Sequence, residues 1–70
     1  MKKKLVTKIK QYRTQHDMSQ MDLASRVDVR RETIIRLEKG EYNPSLQLAM
    51  DLASIFAVPV EELFSFQENK

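Results

Sequence analysis

Between Ser19 and Gly40 the chain reads SQMDLASRVDVRRETIIRLEKG, and this stretch constrains the fold more than any other. Leu23, Ala24 and Val27 share one face at helical spacing, and Ile34 and Leu37 make a second such face ten residues on. The spacing predicts a helix over roughly Gln20–Val27 and another over roughly Arg31–Glu38, with Val29 in the turn between them. Ser19 is a good N-cap for the first, and Asp22, three residues later, places a carboxylate in its first turn. Ala24 is small and stands mid-helix, where a second helix must cross closely. Gly40, the only glycine in the chain, stands where a left-handed cap would close the second helix.

The outward face of the second helix carries Arg30, Arg31, Glu32, Ile35, Arg36 and, one turn on, Lys39. Together these features describe a helix-turn-helix whose second helix offers a cationic, hydrogen-bonding surface.

The segment resembles the helix-turn-helix of the Cro/phage-repressor (xenobiotic-response-element) family of regulators. The resemblance rests on Ser19-Gln20, on Asp22-Leu23-Ala24, on Val29-Arg30-Arg31-Glu32-Thr33-Ile34 and on Leu37-Glu38-Lys39-Gly40. It continues through Tyr42-Asn43-Pro44-Ser45 and, more weakly, over nearly the whole chain, where the short cytolysin-repressor-type members are most similar. Two positions depart from the pattern. Asp28 stands where the family usually has glycine, and aspartate accepts φ > 0 at a modest cost. Arg30 stands where a capping serine is common and cannot accept the N-cap bond, so either the second helix starts less firmly or Asp28 caps it from further back.

Seventy residues make a single domain, residues 1–70, with the helix-turn-helix core at 19–39. A chain this short buries only about 60–65% of its unfolded surface, so each apolar position matters. With no cysteine and one histidine, His16, neither a disulfide framework nor a metal site is expected, and no cofactor is called for. No apolar run approaches the roughly 18 residues of a membrane span, and the basic N-terminus lacks the apolar region of a secretory signal; a soluble, cytoplasmic protein is expected. The net charge of +2 conceals an asymmetry. Residues 1–13 hold Lys2, Lys3, Lys4, Lys8, Lys10 and Arg13 and no acid, whereas residues 41–70 hold five acids against Lys70. That distribution suits one polyanion-binding side, although Lys2 to Lys4 taken alone would also serve solubility.

The remaining elements rest on periodicity and caps. A first helix is predicted over about Val6–Gln15, with Leu5, Ile9 and Tyr12 as its core stripe. Asp17 is suited to a left-handed exit from it, and Met18 to plugging the core. Ser45 is the N-cap of a long apolar helix, about Leu46–Phe56. Pro59 suits the start of a small last helix, Glu61–Phe64, whose Leu63 and Phe64 face the core. The fold class is all-α with five helices. Phe64-Ser65-Phe66 alternates as a strand would, and Lys4-Leu5-Val6-Thr7 is compatible with an extended chain; the resemblance to short family members implies that the two termini pair as a small β-ribbon, the alternative being two frayed ends.

The resemblance assigns roles. It implies that Arg13 pairs with Glu38; the alternative is two independent surface charges, worth little. It implies that Gln20 contacts the DNA backbone and braces Arg31, the first reading residue. Arg31 can donate two bonds to guanine O6 and N7, Glu32 can accept from cytosine N4, and Ile35 can meet a thymine methyl. Arg36 suits a base or a phosphate, Thr33 suits a phosphate or half-buried support, and Arg30 and Lys39 suit phosphates. Tyr42, Asn43 and the amides after Ser45 are the phosphate candidates of the next loop. Short members of the family dimerise through the C-terminal region, here 57–70 with Leu63, Phe64 and Phe66.

The expected function is a DNA-binding transcriptional regulator, a repressor that binds an inverted-repeat operator as a homodimer, with no small-molecule ligand. A protein-interaction module, such as the antitoxin of a toxin–antitoxin pair, is the alternative from another class. An enzyme is rejected: there is no cysteine, no Gly-rich phosphate loop and no carboxylate pair on an apolar face.

Overall fold

The computed structural model describes residues 2–69. Strand β1 (Lys2–Thr7) is followed by helices α1 (Ile9–Gln15), α2 (Gln20–Arg26), α3 (Arg31–Glu38), α4 (Leu46–Phe56) and α5 (Val60–Leu63), and the chain closes with strand β2 (Phe64–Asn69). The five helices enclose one core built from Ile9, Leu23, Ile34, Leu37, Leu52 and Leu63, all without accessible surface, with Phe56 beside them. β1 and β2 pair antiparallel from Lys2 opposite Asn69 to Thr7 opposite Phe64, with Leu5 facing Phe66. The termini therefore form the ribbon. Its base is tied to the bundle by the Lys8 amide, which donates to the Leu63 carbonyl at 2.9 Å.

The ribbon shortens one helix and shifts another relative to the sequence expectation. α1 begins at Ile9 rather than Val6, because Leu5, Val6 and Thr7 are strand residues. Val6 and Thr7 are β-branched and have Ser65 and Phe64 as cross-strand partners. Leu5 is buried, but from the strand; only Ile9 and Tyr12 of the expected stripe lie on α1. The last helix is Val60–Leu63 rather than Glu61–Phe64, since Phe64 opens β2.

Four helices end in the same way. Asp17, Asp28, Gly40 and Ala57 have φ of 55°, 57°, 73° and 56°. In each case the next amide reaches back five residues: Met18 to the Arg13 carbonyl, Val29 to Ala24, Glu41 to Arg36 and Val58 to Ala53. This is the Schellman stop, in which one left-handed residue lets the chain satisfy carbonyls the helix leaves open. Only one of the four is glycine. At Gly40 a side chain is excluded twice, by its φ and because a Cβ there would fall onto the backbone carbonyl oxygen of Leu5. Ala57 bears the strain that glycine would relieve. Gly40→Ala should therefore destabilise the domain by at least about 2 kcal/mol, whereas Ala57→Gly should stabilise it by about 1 kcal/mol. Thermal denaturation of the two variants tests both signs; a stabilised Gly40→Ala would refute the close approach of β1.

The N-termini are less uniform. Ser19 and Asp22 form a full capping box: Ser19 Oγ accepts from the Asp22 amide, and Asp22 Oδ2 accepts from the Ser19 amide, both at 2.9 Å. The bond from the Ser19 amide holds the Asp22 carboxyl below its ordinary pKa. Ser45 caps α4 through the Leu48 amide at 3.1 Å. α5 is tied to α1 by Glu62, which accepts from the Tyr12 hydroxyl at 2.9 Å and from Lys8 Nζ at 3.4 Å. The Tyr12 bond lowers the Glu62 pKa and raises that of Tyr12.

Candidate nucleic-acid interface

α3 presents two unlike faces. Ile34 and Leu37 are buried against the core, and α2 lies across them with Leu23 and Ala24 buried at the crossing. Arg31, Glu32, Arg36 and Lys39 are exposed on the other side. Ile35 is half-exposed there, and it is not among the partly buried apolar side chains that pack on the core. Its apolar character on this face is not accounted for by folding. Thr33 is half-buried, at the border of the two faces.

A buried ion pair sets the position of α3. Arg13 Nε donates to Glu38 Oε2 at 2.6 Å, Nη2 donates to Oε1 at 3.3 Å, and Nη1 donates to the Met18 carbonyl at 2.8 Å. The two side chains retain 10% and 6% of their surface. Gln20 completes the arrangement by donating from Nε2 to Glu38 Oε1 at 3.1 Å. Thus α1, α2 and the C-terminal turn of α3 meet on one carboxylate. The Gln20 amide nitrogen is engaged by Glu38, and among the described residues the side chain makes no hydrogen bond to Arg31.

Arg30 is the N-cap of α3 and makes no side-chain cap bond. The Thr33 amide closes back on the Arg30 carbonyl at 3.0 Å. Asp28 makes no cap bond either and serves only as the left-handed turn residue. No side chain thus caps the first turn of α3, which leaves a helix start that suits an anion.

At the other end, Arg36 lies over the Tyr42 ring, 5.9 Å from its centre. It is not paired with Glu32: among the described residues the ion pairs within 4.0 Å are Lys8–Glu62 and Arg13–Glu38. Tyr42 also packs on the core, so the loop after α3 is held against the recognition face. The Arg36–Tyr42 stack is not among the sequence expectations, although an aromatic six residues after an arginine across a Gly40 stop is a usable signal. Asn43 is exposed in this loop, and the Ser45 hydroxyl acts as acceptor for its own helix.

The structure separates the three C-terminal residues expected at a dimer contact. Leu63 is fully buried in its own core and offers no surface to a partner, because α5 turns it inward between α1 and α4 before the ribbon begins. Phe64 is half-buried, and Phe66 is 60% exposed. Sequence reasoning missed Leu46 and Met50, which are 74% and 55% exposed on α4. Pro44, Leu46, Val60, Phe64 and Phe66 line one apolar cleft. The signal was there, in a helix apolar over most of its circumference; which side stays outside depends on the ribbon.

Two short helices crossing at a tight turn, with the second exposing a polar face beside a capped loop, define a helix-turn-helix module. Residues 9–63 match the family described as Helix-turn-helix, Cro/C1 type. Among similar proteins, an uncharacterized HTH-type transcriptional regulator of Archaeoglobus fulgidus is 52% identical over 91% of this chain and 90% of its own. Another, from Methanocaldococcus jannaschii, is 44% identical over 90% and 96%. The cryptic phage CTXphi transcriptional repressor RstR of Vibrio cholerae is 34% identical, over 90% of this chain and 57% of that protein. A crystal structure of a candidate DNA-binding protein from Bacteroides fragilis shares the fold with a TM-score of 0.76 at 21% identity, covering 87% of this chain and 98% of that one. The chain belongs to the Cro/C1-type helix-turn-helix family. No helix among the described residues is long and apolar enough to cross a membrane.

Proposed function

We propose that this helix-turn-helix transcriptional regulator acts as a repressor that binds an inverted-repeat operator as a homodimer, with α3 in the major groove. The observation that carries the reading is the exposed face of α3. Arg31, Glu32 and Arg36 stand free of ion-pair partners among the described residues, with Ile35 between them, on a helix fixed at its far end by the Arg13–Glu38 pair. Arg31 matches guanine, Glu32 matches cytosine and Ile35 matches a thymine methyl. Arg30, Thr33, Lys39, Asn43 and the amides after Ser45 serve the phosphates on either side. Gln20 keeps a second amide hydrogen for the same purpose.

The dimer reading is supported by the apolar surface of Leu46, Met50, Phe64 and Phe66. Leu46, Met50 and Phe66 are exposed and Phe64 is half-buried, and apolar surface of this extent on so small a domain suits coverage by a second copy. Two α3 helices related by a two-fold axis would read half-sites roughly 34 Å apart, one turn of DNA. Repression is supported by the phage-repressor relative and is the direct result of occupying a promoter. Phe66 also keeps the protein-partner reading in view, since the same face suits an unlike chain.

Selection of sites by the purified protein from a random double-stranded library, at a stated salt concentration, tests the proposal. A palindrome with half-sites one turn apart is the expected result. An unpaired motif would overturn the homodimer, and no enrichment would overturn DNA reading altogether.

A further inference from the structure

We infer that β1 is a second DNA-contacting element, in which Lys3 and Lys4 contact separate phosphates outside the half-site read by α3; this rests on the operator-binding reading above. Three observations place them there. The Leu5 carbonyl lies against Gly40, so β1 is held at the point where the chain leaves α3. Lys3 and Lys4 share an open cleft of about 360 Å³ with Gly40, Glu41 and Asn43, the last a phosphate candidate in its own right. Both lysines are exposed, and among the described residues neither takes part in an ion pair within 4.0 Å or a side-chain hydrogen bond, although Glu68 is the cross-strand partner of Lys3 and Glu41 faces the cleft. Among the described residues no acidic side chain engages either lysine, and contact with a DNA phosphate adds a gain that no carboxylate of this chain offers, the release of condensed counterions. The ribbon supplies what a loose basic tail lacks. Its register fixes the two lysines relative to α3, so they meet particular phosphates rather than a diffuse polyanion.

The test compares wild type with the double variant Lys3→Gln/Lys4→Gln on the selected operator and on random DNA, with Lys39→Ala and Lys10→Gln alongside. Affinity is measured against salt concentration, and phosphate contacts are mapped by ethylation interference. The double variant is expected to flatten the log–log salt dependence by about one unit per phosphate lost, equally on both DNAs. It should keep the base preference and lose interference at phosphates flanking each half-site. Lys10→Gln removes a charge from α1 and should leave the interference pattern intact, which separates placement from net charge. Circular dichroism of the variants confirms the fold. An unchanged slope and unchanged interference in the double variant, while wild type binds its operator, would overturn the inference and leave the α3 reading standing. If wild type binds no DNA, both fall together.

Discussion

Replacing Glu38 by alanine should cost about 3–5 kcal/mol of folding free energy, a fall in melting midpoint of roughly 15–30 °C for a domain of this size. The size of the effect comes from what is left behind. Arg13 would keep only its bond to the Met18 carbonyl, with Nε and Nη2 facing a low-dielectric hole. Gln20 would lose its acceptor as well. An unpaired buried guanidinium is far more costly than the pair is stabilising, so the double replacement Arg13→Met/Glu38→Met should recover most of the loss. Glu41→Ala is the comparison, because Glu41 is exposed just past the same helix and its removal should stay within about 0.5 kcal/mol. Equal midpoints for Glu38→Ala and Glu41→Ala would mean that the pair is open to water in solution.

Arg31→Ala is the second large effect, and it belongs to function rather than folding. Arg31 is the first residue of α3 and is exposed, so the variant should fold as stably as wild type. On the selected operator it should lose about 1–3 kcal/mol, roughly 5- to 150-fold in affinity, and relax preference at one base pair in each half-site. Affinity for random DNA should fall much less. Competition binding on operators altered one pair at a time resolves this. Retained affinity with retained preference would show that α3 does not read the groove through Arg31.

Glu38 and Arg31 also mark what is legible in the chain alone. The bounds of α3 and α4, the Ser19 and Ser45 caps and the left-handed residues Asp17, Asp28 and Gly40 are local chemistry, and local chemistry is legible. Ala57 is the contrasting case. Nothing in alanine announces φ of 56°; the conformation is imposed by the next two residues, Val58 closing back on Ala53 and Pro59 barring further helix. Only resemblance suggests the Arg13–Glu38 pair, since twenty-five positions separate the partners and no periodicity links them. The start of α1 and the end of α5 differ from the sequence expectation for one shared reason. Both ends compete with a strand pairing whose two halves lie at opposite ends of the chain, and a window of local residues sees neither partner. For Leu63 the expectation that it faces the core holds, and its complete burial leaves no surface for the dimer contact also expected of it.

The ribbon also fixes an order of events. Its strands are separated by all five helices, and two strands alone are marginal in water, so bringing them together before the bundle exists would cost the full entropy of closing that span. Once the Lys8 amide has met the Leu63 carbonyl, the strand ends are already adjacent and the remaining rungs form at little further cost. During synthesis β2 emerges after every helix. A chain that has folded its core has already brought Thr7 beside Phe64, so the two strands meet in the one register the bundle sets, and Lys3 and Lys4 take their places relative to α3 last.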